Sequence, residues 1–405
     1  MSLQPSDRGS AAPATSRAAL LSPILGAIRE RAGADRAADA TVFADIFYRR
    51  LTEDELPLHS ADGWAALAND FLDFARERPP GQARLRLFNP DLGRHGWESP
   101  HTVLQIVNDD MPFLVDSVTM ALAELGIGVH VLGHPVVPLS RDAGGTLRAV
   151  AREDGASESL MHLEIDRQSA DGIAAIEAAL RTVLADVRAI VADWSAMRAK
   201  MDSVAERFGE AQAHLTAAEC AEARDFLRWA ADDHFTFFGH REYAVSGSGN
   251  EAVLCAVEGS GLGLLRARDV GKPRLLRSLA ASTETAEGST DALILTKTNA
   301  RSSVHRPGYM DYIGVLGYDA AGTPVAEHRF LGLYTSSAYN RRPWDIPLVR
   351  QRYAHVMEAS GLEPNGHSGK ALKHILETLP RDELFQSSSE ELHQLASGIL
   401  GLQER

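Results

Sequence analysis

Residues 102–126, TVLQIVNDDMPFLVDSVTMALAELG, restrict the fold more than any other stretch of the chain. Val103, Leu104, Ile106 and Val107 form a nearly continuous apolar run, as in a strand buried on both faces. Asn108-Asp109-Asp110 breaks it, because short polar side chains bond to nearby backbone groups and favour a turn. Pro112 suits the first position of a helix, and Leu114, Val118, Leu122 and Leu125 follow at helical spacing. Gly126 and Gly128 end that helix, and Ile127 to Val131 opens another strand. The product is a strand–turn–helix–strand unit with the helix N-terminus opening at the turn. Such an end suits a small anion, while the adjacent aspartates favour a cation or amine.

Three helices are expected within residues 17–83. The first starts at an N-cap Ser22 with Pro23 in its first turn. The second carries Val42, Phe43, Ile46, Phe47 and Leu51, and the third, capped by Ser60, carries Trp64, Leu67, Phe71 and Leu72. Their apolar faces must pack on something later in the chain. Arg84 to Phe88 alternates like an edge strand. Beyond the opening unit, Val129 to Leu139 is a strand, Asp142-Ala143-Gly144-Gly145 a hairpin turn, Thr146 to Arg152 the return, and Ser159 to Asp166 a further strand. A helix keeps its period from Ile173 to Trp194. Residues 84–200 therefore read as an α+β sandwich with helices on one sheet face.

A helical connector at 201–234 leads to a second β-rich domain at 235–340. Its strands are expected at Thr236–Val245, Glu251–Val257, Ala292–Thr298, Asp311–Tyr318 and Pro324–Thr335, around an irregular middle at 259–290. That order resembles a PAS-type sensory fold. Helices occupy 341–405, one of them starting at a Ser388–Glu391 capping box. Residues 365–405 show no core of their own, so an absent downstream domain is expected to follow.

Composition excludes several functions. With 405 residues, 44% hydrophobic and 24% charged, the chain can build roughly two to three globular domains. A formal net charge of −14 leaves no basic surplus for phosphates, so nucleic acid is not an expected partner. No apolar run reaches membrane-spanning length. Two distant cysteines, Cys220 and Cys255, fit a reduced cytoplasmic setting. Residues 1–16, rich in Ser, Ala and Pro, read as a flexible terminus.

No catalytic motif survives inspection. Gly259-Ser260-Gly261-Leu262-Gly263-Leu264 has Leu264 where a dinucleotide fingerprint needs its last glycine. Gly271-Lys272 runs into Pro273, so there is no phosphate-binding P-loop. His130 and His134 on one strand would stand roughly 13 Å apart, too far to share a metal, and no metal site is expected. His240-Arg241-Glu242-Tyr243 reads as a strand with cross-strand pairs.

Two constellations remain. Asn108, Asp109, Asp110, Met111, Pro112 and Phe113 are either a capped helix start or an effector-binding loop. Lys297, Asn299, Arg301, His305, Arg306 and Tyr309 are either a solvated loop or a patch for an anion or a docking domain.

Six segments carry a resemblance: VLQIVNDDMPFLVDSV (103–118), HPVVPLSRDAGGTL (134–147), FTFFGHREY (235–243), LTKTNARSSVHRPGYMDYIGV (295–315), EHRFLGLYTSSAYN (327–340) and LPRDELFQ (379–386). From about residue 20 onward the chain resembles the N-terminal part of the large bacterial NAD-specific glutamate dehydrogenases. The resemblance implies a non-catalytic regulatory and assembly segment, ACT-like then PAS-like, of a cytoplasmic homo-oligomer. It implies an amino acid as effector at the 108–113 turn, and it places NAD and glutamate deamination in a downstream domain. ACT modules run βαββαβ. Here no strand follows the long helix, extra strand material lies at 146–166, and Arg84–Phe88 is the strand available to close the sheet from the N-terminal side.

Overall fold

The computed structural model describes residues 17–49, 59–150, 155–209, 215–247, 251–266, 274–275 and 293–403. The 1–16 terminus, Leu51, the end of the return strand at 151–152 and most of the 259–290 middle lie outside them. The chain divides into two units, Met1–Leu184 and Ala185–Arg405.

The first unit begins with helices α1 (Arg17–Ala32), α2 (Ala37–Tyr48) and α3 (Ala61–Ala75). Pro23 lies inside α1 rather than at its start, which corrects the expected Ser22 cap. Ser60 does cap α3, its Oγ accepting the Gly63 N–H over 3.0 Å. After strand β1 (Arg84–Phe88) and the single turn α4 (Leu92–His95) come β2 (Thr102–Asp109), α5 (Leu114–Glu124), β3 (Val129–Gly133), β4 (Val136–Arg141), β5 (Leu147–Val150) and β6 (Ala156–Ile165). The expected 129–139 strand is thus broken, at His134-Pro135, because Pro135 cannot donate to the ladder.

The sheet order is β1-β2-β6-β4-β5, with β3 also on β6, and every pairing is antiparallel. β1 lies on the free side of β2, where the last strand of a βαββαβ module would close the sheet. Residues 102–108 are all buried, as a strand covered on both faces requires. One face carries Val103, Val107 and Leu160 into a core with Phe43, Phe47, Trp64 and Phe71 of α2 and α3. The other presents Leu104, Ile106, Met161 and Leu163, equally buried. The N-terminal helices thereby find their partner, and the expectation of helices on one face is corrected to cover on both. Burying each large side chain is worth about 1.5–3 kcal/mol, so this layer is a major part of the unit's stability.

Helix α6 (Ala170–Arg207) runs past the expected end at Trp194, which is 38% exposed instead of buried. Next come α7 (Ala217–Trp229), begun by a Thr216–Glu219 capping box, and a π-turn at Ala230–His234. Among the described residues seven strands follow: β7 (Phe235–Ser246), β8 (Val253–Ala256), β9 (Leu262–Gly263), β10 (Arg274–Leu275), β11 (Ile294–Arg301), β12 (Tyr309–Tyr318) and β13 (Pro324–Tyr334). They pair antiparallel in the order β10-β8-β7-β13-β12-β11, with β9 on β7. The chain then forms helices α8 (Ser336–Asn340), α9 (Val349–Ala359), α10 (His367–Thr378), α11 (Arg381–Gln386) and α12 (Ser389–Gln403). The 365–405 region forms no core of its own but inserts Leu372, Ile375, Leu384, Phe385, Leu392 and Leu400 into one core with Phe226, Phe237 and Phe330.

Candidate functional site

The β2–α5 turn holds the first set of candidate residues. Pro112 is in the turn and not in the helix, correcting its expected place. Phe113 is the N-cap of α5 at φ 71°, left-handed, and makes no side-chain cap. A non-glycine residue there is strained, and such strain gathers at ligand-binding turns. At the other end Gly126, at φ 72°, closes α5 with Ile127 N–H on Leu122 O and Gly126 N–H on Ala123 O, both 3.0 Å.

Asn108 is buried and donates to the Asp109 carbonyl over 3.1 Å. Asp109 accepts from Arg78 over 2.7 Å. Asp110 is exposed, and its N–H reaches Ser157 O at 3.1 Å. Met111 and Phe113 are half-buried, Pro112 exposed. The turn thus offers one open carboxylate, an apolar pair and the start of a helix.

Beneath it lies an ionic group that linear reading missed. Arg78 Nε donates to Glu158 Oε2 over 3.0 Å, and Arg141 Nε donates to Glu158 Oε1 over 2.6 Å. Farther along β6, Glu164 accepts from Ser99 Oγ at 2.6 Å and contacts His59 Nε2 and His101 Nδ1 at 3.1 Å each. Burial favours its neutral form, but the neighbouring His162, His59 and Ser99 outweigh it and hold the carboxyl well below the usual range. His162 Nε2, 3.9 Å away, makes no hydrogen bond, and burial keeps its ring neutral. Above Glu164 opens a polar cleft of about 810 Å³ lined by His59, Asp62, Asp91, Trp97, Ser99 and Arg167. The signal was available: Glu158, His162 and Glu164, four and two apart, share one face of the buried strand β6.

In the second unit the expected cationic patch separates. Lys297 Nζ pairs with Asp311 at 2.6 Å and with Asp382 of α11 at 3.2 Å. Tyr339 donates to the same Asp382 over 3.0 Å. Arg306 donates to Tyr334 O over 3.0 Å and covers the Tyr339 ring. His305 is left-handed at φ 73°. Asn299, Arg301 and Tyr309 are exposed at the far end of the β11–β12 hairpin, where Arg301 pairs with Tyr309.

The glycines at 259–263 do not fit a dinucleotide. A Cβ on Gly263 would stand 2.3 Å from Phe238 O, and one on Gly261 2.4 Å from Leu265 O. Gly263 lets β9 lie against β7 and Gly261 lets the backbone of Leu265 approach, and the described residues 264–266 that follow form no helix. Among the described residues no helix is long and apolar enough to cross a membrane.

Residues 43–180 match the family model "Glutamate dehydrogenase, ACT1 domain", and residues 346–405 match "Glutamate dehydrogenase, helical motif 1". The chain is 35% identical over 394 residues to an NAD-specific glutamate dehydrogenase of Halomonas elongata, covering 95% of this chain and 24% of the relative. It is 36% identical over 402 residues to one of Pseudomonas aeruginosa, covering 97% of this chain and 25% of the relative. A Mycobacterium tuberculosis NAD-specific glutamate dehydrogenase is 29% identical over 306 residues, 74% of this chain and 18% of its own length. The chain therefore spans about a quarter of the first two relatives.

Proposed function

The chain belongs to the NAD-specific glutamate dehydrogenase family as an N-terminal segment of it, and from that premise we propose that these residues are a non-catalytic regulatory segment that takes an amino-acid effector at the β2–α5 turn. The whole enzyme would oxidise L-glutamate to 2-oxoglutarate and ammonia with NAD, in the cytoplasm and as a homo-oligomer, with the dinucleotide bound outside this segment. The observation that carries the reading is the turn itself. It lies within the ACT1 match, its strained Phe113 opens α5 without a side-chain cap, and exposed Asp110 stands ready for an ammonium group. Two strands, β7 and β8, and three later ones, β11 to β13, joined in one antiparallel sheet support a PAS-like second module.

Calorimetric titration of the 405-residue chain with each proteinogenic amino acid tests the effector. Saturable heat with one of them supports it, and none at millimolar concentration sinks it. Glutamate-dependent NAD reduction by the same chain is expected to be zero. A second reading, assembly without any ligand, is favoured by the Arg78–Asp109 pair, which occupies one of the turn's two carboxylates. Sedimentation tests that reading, and a strict monomer at high concentration counts against it.

A further inference from the structure

β7 and β13 bring three potential metal ligands onto one face of the second sheet. Their register sets Glu242 opposite His328 and His240 opposite Phe330. His240 and Glu242, two apart on one strand, therefore point the same way, with His328 across from them. One ligand-type atom from each residue lies within 4.8 Å of the other two.

His240 is wholly buried, and neither of its ring nitrogens has a hydrogen-bond partner. His328 Nδ1 is likewise buried without one and sits 3.9 Å from Glu242 Oε1. Folded proteins satisfy nearly all buried polar groups, so three such nitrogens beside one carboxylate call for an explanation. Packing alone supplies none: the two rings lie 5.8 Å apart, nearly parallel, with their nitrogens unmatched.

We propose that His240, Glu242 and His328 bind one divalent transition-metal ion of the zinc class, through two imidazole nitrogens and one carboxylate oxygen. This donor set is a zinc set and leaves a fourth tetrahedral position for water or a small ligand. At bond lengths of about 2.1 Å, tetrahedral ligand atoms stand roughly 3.4 Å apart, within reach of rotamer changes at the half-buried Glu242 and His328. Lys200 Nζ donates to Glu242 Oε1 over 2.7 Å. Its ammonium holds the carboxylate in the metal-free chain, and the ion displaces it. The site is independent of the effector turn, which belongs to the other unit.

The test uses the complete 405-residue chain, stripped with a chelator and titrated with Co²⁺. One equivalent is expected to bind with the intense visible bands of a low-coordinate nitrogen–oxygen site, and Zn²⁺ displaces it. E242Q and H328Q, folded by circular dichroism, each weaken binding by more than the roughly 10–100-fold that loss of an outer partner costs. K200M tightens it. Less than one equivalent, or affinity unchanged in E242Q or H328Q, overturns the site, and unchanged affinity in K200M overturns the displacement of Lys200. X-ray absorption at the zinc edge of the unmutated chain reads the ligands without any substitution, and fewer than two imidazoles overturns the assignment.

Discussion

Arg78 donates to Asp109 Oδ1 over 2.7 Å, tying the segment after α3 to the end of β2 where the candidate effector turn begins. The same guanidinium serves Glu158, which is 1% exposed. Arg78→Met leaves Glu158 to Arg141 alone, and breaking a buried pair costs about 3 kcal/mol. Asp109→Asn should cost under about 1 kcal/mol, because that carboxylate is partly in water. Urea unfolding followed by circular dichroism should rank them so. Equal losses would show that Glu158 is not the partner that matters.

Stability should fall as the solution is acidified from near neutrality. His240 and His162 are buried and neutral, with pKa values held below the ordinary 6.5. The unfolded chain therefore binds protons first, and the stability these rings give is whole above pH 6.5 and lost as pH drops below it. For His240 the window runs down to about pH 3. At full extent the loss is on the order of 5 kcal/mol. Urea midpoints at pH 7.5 and 5.5, with chelator present, should differ less in His240→Phe than in the unmutated chain. An equal difference would remove His240 from the account.

That histidine also shows what the chain left hidden. Strict alternation along Phe235, Phe237 and Gly239 sends His240 and Glu242 to the face opposite the buried phenylalanines. The ladder slips between Leu331 and Gly332, where Phe238 has no partner, and the bulge returns both side chains to the phenylalanine face. A one-residue slip cannot be read from periodicity. Pro112 was misplaced for a related reason, since no pattern announces that Phe113 turns left-handed. What periodicity did carry was robust: the burial of β2 on both faces, the edge position of β1, and the Ser60 and Ser388 caps. The pairing of Lys297 with Asp382, far along the chain, was not legible.

Lys297 links β11 to Asp311 and to α11. Burial raises the Asp311 pKa despite the lysine, so the carboxylate depends on that neighbour to stay charged. Lys297→Met is expected to destabilise the second unit by about 3 kcal/mol. Asp382→Asn, at a half-exposed position, should leave the melt nearly unchanged but loosen α11, exposing the 379–388 segment to limited proteolysis. Cleavage there at the unmutated rate would break the link between Lys297 and the tail.

Phe113 offers the most direct probe of the turn. Its φ of 71° costs an ordinary L-residue about 1–2 kcal/mol, least for asparagine and most for a β-branched side chain. Phe113→Asn and Phe113→Val both remove the half-buried ring, so their difference isolates the backbone. Val should melt below Asn, by about 1–2 kcal/mol at the midpoint. If the turn receives an amino acid, Asn keeps its geometry and its titration heat, whereas Val shifts the chain toward an extended Phe113 position and loses the heat. Equal melts would mean that the left-handed residue stores no strain, and equal titrations would separate the ligand from the turn.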